Sequence, residues 1–143
     1  MRRFLIFMLL IPCMAAAKEN FLTEKPEGVI FVEENGRKSG IGKEWWTPAP
    51  EDIRRFEKGL PGYLKSGQGA ELVGKLARYK RQYFGIKTKE DRWILVNFFC
   101  SNWGDRDWRK DRIIVDDGGD CYFQLEFNPK IGIYRNLMIN GDA

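Results

Sequence analysis

Acidic residues around position 118 are the side chains in this sequence that could most readily do chemistry. Asp116, Asp117 and Asp120 surround the pair Gly118–Gly119, and carboxylates can bind calcium or transfer protons. A calcium loop needs about six oxygen ligands at a defined spacing that ends in a distant glutamate, and the spacing here does not match. Glycine accepts the positive φ of a tight turn, and aspartate hydrogen-bonds to nearby backbone N–H groups. The pattern therefore predicts a turn and not a metal site.

The sequence contains no histidine. This excludes Ser-His-Asp and Cys-His catalytic groups and most catalytic zinc sites. The alternative is a carboxylate enzyme acting on envelope glycans, since two acids about 5–9.5 Å apart can serve as acid and base. Glu126 with Asp116 or Asp120 could form such a pair, but among 20 acidic residues a chance pair is expected. We therefore predict a protein that is not an enzyme and has no catalytic residue, cofactor or metal.

The segment 101–112 is the polar stretch best suited to binding. Its sequence, SNWGDRDWRKDR, places Trp103 and Trp108 among Arg106, Arg109 and three aspartates. Tryptophan and arginine are enriched at protein-binding hot spots, and loops on a rigid sheet often carry binding residues. We predict that Trp103, Arg106, Trp108 and Arg109 form a binding surface. The alternative is that one of the tryptophans folds back as a lid on the sheet.

The first seventeen residues have the three parts of an export signal. Residues 2–3 are positive, residues 4–11 are apolar, and Ala15 and Ala17 are the small residues that a signal peptidase requires. The apolar run is shorter than the roughly 20 residues of a membrane span. We expect cleavage near Ala17 and a periplasmic or secreted protein.

The N-terminal segment also leaves a second form of export open. A lipoprotein would be anchored at Cys13, but its signal normally has a small residue before the cysteine, and here that residue is Pro12. We favour cleavage, which divides the chain into a signal peptide at 1–17, an N-terminal segment at 18–46 and a single domain at 47–143. A chain of this mature length can form one hydrophobic core.

Cleavage leaves two of the three cysteines, Cys100 and Cys121. An even number of cysteines in an exported chain favours a disulfide. In the chain-entropy model, closing a loop of this length stabilises the fold by about 3 kcal/mol. The alternative is a pair of buried thiols that never meet. We predict the disulfide Cys100–Cys121.

The charge balance disfavours a nucleic-acid partner. The chain has 24 basic and 20 acidic residues and a net charge of +4, which falls to +2 when the two N-terminal arginines leave with the signal. Binding to phosphate backbones depends on a clear excess of positive charge. We expect no nucleic-acid partner, and no membrane span in the mature chain.

The hydrophobic period changes along the chain from that of a helix to that of a strand. Five apolar residues recur at helical spacing and predict a helix from residue 47 onwards, which Pro61 should kink or end, namely Ile53, Phe56, Leu60, Tyr63 and Leu64. From residue 77 apolar residues follow a period of two. The predicted strands are 77–87, 93–100, 121–127 and 131–139, with a further short one at 29–32.

These elements predict an α+β fold. One N-terminal helix packs on a four-stranded antiparallel meander, and an extra strand precedes the helix. If 93–100 runs antiparallel to 121–127, Cys100 lies opposite Cys121, and Phe98 and Val96 meet partners of similar type on the neighbouring strand, namely Phe123 and Leu125.

This order of elements, over about residues 47–140, resembles the cystatin-like folds. Cystatins carry a Gln-x-Val-x-Gly hairpin tip that blocks a protease cleft, and the nearest stretch here, Gln82–Gly85, is one residue shorter. The resemblance therefore implies a fold and not protease inhibition. The chain also resembles small exported bacterial proteins of no assigned activity that share RQY…G, DGG and a terminal NG.

The expected function is that of an exported, non-catalytic binding protein. Its partner would be another protein of the envelope or a cell-envelope component, and the role could be that of an inhibitor or an immunity-type protein. The segment 101–112 and the adjoining loops would make the contact.

Overall fold

The structure, a computed structural model, describes residues 27–32, 44–101 and 104–141. The predicted signal peptide, Cys13 and Trp103 lie outside the described residues. Within the described ranges no helix is both long and apolar enough to cross a membrane.

The described chain is α+β, as predicted. Its elements are β1 (Gly28–Phe31), β2 (Trp45–Trp46), α1 (Pro50–Lys65), a 3-10 helix (Ala70–Arg78), β3 (Lys80–Lys87), β4 (Arg92–Phe99), a short 3-10 turn (Gly119–Cys121), β5 (Tyr122–Asn128) and β6 (Ile133–Ile139).

Helix α1 forms where the helical spacing predicts it. The Asp52 carboxylate accepts a hydrogen bond from the Ala49 backbone N–H (3.1 Å) at its first turn, which satisfies one of the unpaired donors of a helix start. Four of the five apolar residues of the predicted stripe are buried, and the fifth, Tyr63, is half-buried. The helix continues through Pro61 to Lys65, because the buried leucines on either side, Leu60 and Leu64, hold both turns against the sheet.

Strands β3 to β6 pair antiparallel in chain order. The predicted register between β4 and β5 is confirmed: Val96 lies opposite Leu125, and Phe98 lies opposite Phe123. The Phe98 and Phe123 rings stack with their centroids 4.2 Å apart. A bulge near Asn136, which has φ 54°, interrupts the pairing of β5 with β6.

The sheet is mixed and has six strands, which the sequence did not predict. Strand β1 pairs with the first half of β3 in parallel, and β2 pairs with its second half antiparallel. Gly85 allows this second pairing, since a Cβ atom there would lie 2.0 Å from the Trp46 carbonyl oxygen. The edge of β3 is thereby covered by two short segments that precede α1.

The two faces of the sheet have different neighbours. On the helix face, Phe56 of α1 packs against rings of three strands, those of Tyr83, Phe98 and Phe127. The opposite face carries a smaller cluster around Phe84, and near the end of β4 it is covered by the chain that joins β4 to β5. That covered face holds the candidate site.

Candidate functional site

The β4–β5 connection, residues 100–121, lies across the sheet face opposite α1. Two buried amide side chains, Gln82 of β3 and Asn97 of β4, hold it there. Gln82 Nε2 donates to the carbonyls of Trp108 (2.6 Å) and Asp111 (2.7 Å), and Gln82 Oε1 accepts from the Ile113 N–H (3.0 Å). Asn97 Nδ2 donates to Gln82 Oε1 and to the Ile113 carbonyl. Every donor and acceptor of the Gln82 amide is therefore used.

Trp108 lies beneath the connection and not on its outer surface. Its side chain is only 5% exposed and packs with Phe99, Ile113 and Tyr122. The Arg109 guanidinium lies 4.5 Å from the centroid of the indole ring. The tryptophan thus anchors the connection to the sheet, which is the lid alternative that the sequence left open.

Asp107 organises a turn inside the connection. Its side chain accepts a hydrogen bond from the Arg109 N–H (3.1 Å), and its carbonyl accepts from the N–H groups of Lys110 and Asp111 (both 2.8 Å). The hydrogen bond from the Arg109 N–H to the side chain, and the ion pair with Lys110 at 3.2 Å, lower the pKa of the Asp107 carboxyl. Asp107 therefore serves the local turn.

The outer surface of the connection carries Arg106, Arg109, Lys110 and Ile114. Arg106 is exposed, and the side chains of Arg109 and Lys110 are 57% and 79% exposed. Arg109 lies 3.8 Å from a carboxylate oxygen of Glu27, which is too far for a hydrogen bond. Ile114 is 61% exposed, the most exposed large apolar residue of the described chain.

The base of the connection is closed by the predicted disulfide. Cys100 and Cys121 are bonded, with their Cα atoms 5.1 Å apart. A few residues before Cys121, Asn140 Nδ2 donates to the carbonyls of Val115 and Asp117. The connection is therefore held at its two ends, in its middle and near its return to β5.

The Asp-Gly-Gly-Asp stretch is a turn, as predicted. Gly118 has φ 98°, which favours glycine. Asp120 forms an ion pair with Lys75, and its carbonyl accepts from the Tyr79 hydroxyl (2.6 Å). In the described part of the chain, no group of three or more acidic or cysteine side chains could hold a metal ion.

The carboxylates considered for glycoside hydrolysis lie in separate settings. Glu126 accepts hydrogen bonds from Arg135 (2.7 Å) and Asn136 (3.1 Å) on the sheet. Asp120 pairs with Lys75 beside the 3-10 helix, and Asp116 is exposed. Two of the three carboxylates are thus engaged by cations of the fold.

An ionic network lies between α1 and the sheet. Glu57 Oε1 accepts from Arg81 Nε (2.9 Å) and from the Tyr83 hydroxyl (2.8 Å). Burial and the charge of Glu57 raise the pKa of Tyr83 well above its ordinary value. Arg81 is 1% exposed, so this network joins helix to sheet inside the core.

Sequence reasoning missed Gln82 and Asn97. The signal was present, because each is an amide in the middle of an otherwise apolar or aromatic strand, in RQYFG and in LVNFF. A buried amide needs hydrogen-bond partners. Here those partners are the backbone groups of the connection, which has no regular strand pairing to satisfy them.

The chain matches no protein-family model, no curated protein and no solved structure.

Proposed function

We propose that this protein is an exported, non-catalytic binding protein that contacts a partner protein through the outer surface of the β4–β5 connection. The observation that carries the proposal is the Gln82–Asn97 clamp, which holds a long irregular segment in one conformation. Long irregular connections in small domains are commonly binding loops. A loop already ordered before binding loses less conformational entropy when it binds.

The outward side chains supply the contact chemistry. Arg109 is paired only loosely with Glu27 and is mostly exposed, so it can form a new ion pair with a partner carboxylate at little cost. Ile114, five residues further along the same connection, offers an exposed apolar anchor. The partner surface would therefore present both carboxylates and an apolar pocket, which is compatible with an inhibitor or immunity-type role.

Export is part of the same proposal. The Cys100–Cys121 disulfide supports it, since disulfides persist in oxidising compartments. The predicted destination is the periplasm or the medium after cleavage near Ala17. Intact mass of the protein purified from its own cell envelope would show whether residues 1–17 have been removed.

A cystatin-like layout is also part of the proposal. The antiparallel series β3 to β6 that follows α1 supports it. Gln82–Gly85, the stretch nearest to the cystatin motif, lies inside β3 and not at a hairpin tip. Binding is therefore assigned to the connection.

A pull-down with matched variants tests the binding proposal. The variant Arg109→Ala/Ile114→Ser removes two exposed contacts of the connection, and the control Lys58→Ala/Ile133→Ser makes the same kinds of change at exposed positions elsewhere. We expect envelope extract to yield a protein that wild type and control retain and the first variant loses. The thermal melting of both variants should match wild type. Equal retention by both variants would contradict the proposal.

A further inference from the structure

A cleft of about 660 Å³ lies at the opposite end of β4 from the disulfide. Four parts of the chain form it: Trp46 of β2, the first turns of α1, the turn between β3 and β4, and the turn between β5 and β6. Small-molecule sites typically occupy about 300–1,000 Å³. The cleft therefore has room for a small ligand.

The floor and walls of the cleft are fixed by specific contacts. The Trp46 indole N–H is shared between the carbonyls of Ile86 and Trp93, both at 3.2 Å. The Arg92 guanidinium lies 5.5 Å from the centroid of the Trp46 ring. Arg55 of α1 donates to the Pro129 carbonyl and joins the helix to the β5–β6 turn. Two guanidinium groups are thus held at the cleft before any ligand arrives.

The charges that line the cleft are not neutralised within the described chain. The lining includes five basic residues against three acidic ones, namely Arg55, Lys87, Lys89, Arg92 and Lys130 against Asp52, Glu90 and Asp91. Among the described residues, none of these eight forms an ion pair within 4.0 Å. Elsewhere, Lys75, Arg81 and Arg135 each pair with a carboxylate. The five bases exceed the three acids by two, so the lining carries an excess of two positive charges.

We propose that this cleft binds a small polyanion that carries clustered phosphate or carboxylate groups. Guanidinium groups bind such oxyanions through paired N–H donors, and lysines add point charges around them. The excess of two positive charges favours a ligand with at least two negative ones. The cleft and the β4–β5 connection use different residues, so failure of one proposal leaves the other unaffected.

Isothermal titration calorimetry with two probes tests the site. Inorganic tripolyphosphate and citrate would be titrated separately into the mature protein in about 20 mM NaCl, where charge interactions are weakly screened. The cleft variant is Lys89→Gln/Arg92→Gln. The control Lys58→Gln/Lys65→Gln removes the same net charge from exposed positions of α1 that do not line the cleft.

We expect one molecule of at least one probe to bind per chain. Loss of two charge-assisted contacts should weaken the affinity for the probe about 100-fold in the cleft variant, and the affinity of the control should stay within about threefold of that of wild type. Binding of tripolyphosphate alone would identify a phosphate site, and binding of citrate alone would identify a carboxylate site. Binding of both probes would identify a site that recognises negative charge irrespective of the group that carries it. Lys89→Gln alone, at the exposed turn, should weaken binding about tenfold and keeps the test valid if Arg92→Gln lowers the melting temperature.

Two results would overturn the proposal. One is the absence of binding by either probe up to about 5 mM, a concentration at which even a weak site would be detected. The other is an equal loss of affinity in the cleft variant and the control, because that would show attraction to net charge without a site.

Discussion

Replacing Gln82 with leucine tests how firmly the β4–β5 connection is held against the sheet. Leucine keeps most of the volume of the side chain but makes none of the four hydrogen bonds of the amide. The carbonyl of Trp108 and the N–H of Ile113 would lose their partners in a buried setting, and the carbonyl of Asp111 would lose its partner in a partly buried one. At about 1 kcal/mol for each orphaned group, the free energy of unfolding should fall by about 3 kcal/mol.

Chemical denaturation of wild type and variant measures this change. Gln124→Leu is the matched control, because Gln124 lies two strands away on the same face, is only half-buried and makes one weak contact with the Met138 sulfur (3.6 Å). The control should change stability by no more than about 0.5 kcal/mol. Hydrogen exchange adds a local readout, since the Ile113 amide donates directly to Gln82 and should lose its protection in the variant.

The reasoning about the clamp fails under two outcomes. In the first, Gln82→Leu costs less than about 1 kcal/mol, which would mean that water or a shifted backbone satisfies the freed groups. In the second, the Ile113 amide stays protected, which would mean that the connection is held without the amide.

Three other features of the fold give measurable expectations. Reducing the Cys100–Cys121 disulfide should lower the free energy of unfolding by about 3 kcal/mol, and alkylation of the unreduced protein should modify neither cysteine; two modified thiols would contradict the pairing. Burial and the nearby Glu57 raise the pKa of Tyr134 from 10.0 to about 12. The stability that the protonated Tyr134 hydroxyl gives the folded state is therefore complete below pH 10 and is lost as the pH rises to about 12. The free energy of unfolding of a Tyr134→Phe variant should fall less steeply with pH over that range than that of wild type. Identical pH dependence in the two proteins would contradict a raised pKa of Tyr134. At Asn136, where φ is 54°, valine should cost about 1–2 kcal/mol more than glycine in thermal or chemical unfolding, and equal costs would show that the bulge relaxes.

Local patterns in the sequence predict a large part of the fold. The helical stripe of α1, the period-two strands and the turn at Gly118 each depend on neighbours within a few residues. The β4–β5 register also follows from the sequence, because cysteines and aromatic residues on the two strands find matching partners in a single alignment. The register that pairs the aromatic residues is the one that also brings the two cysteines together, so each observation supports the other.

The remaining parts depend on contacts between distant segments. The parallel pairing of β1 with β3 joins residues more than fifty positions apart, and a four-residue strand does not encode its direction. The inward position of Trp108 depends on its hydrogen bond with Gln82, which lies on β3 and is 26 residues away in the sequence. The Glu57–Arg81 pair is hidden for the same reason, since the sequence contains many acids and bases and only the packing of α1 selects these two.

Site-specific photo-crosslinking at position 114 tests the central proposal most directly. A photoreactive side chain would replace Ile114, and the same group at Ile133, which is also exposed, would serve as the control. Irradiation in the native envelope should attach one partner protein at position 114 and not at position 133. If both positions give the same products, or position 114 gives none, the β4–β5 connection is not the binding surface.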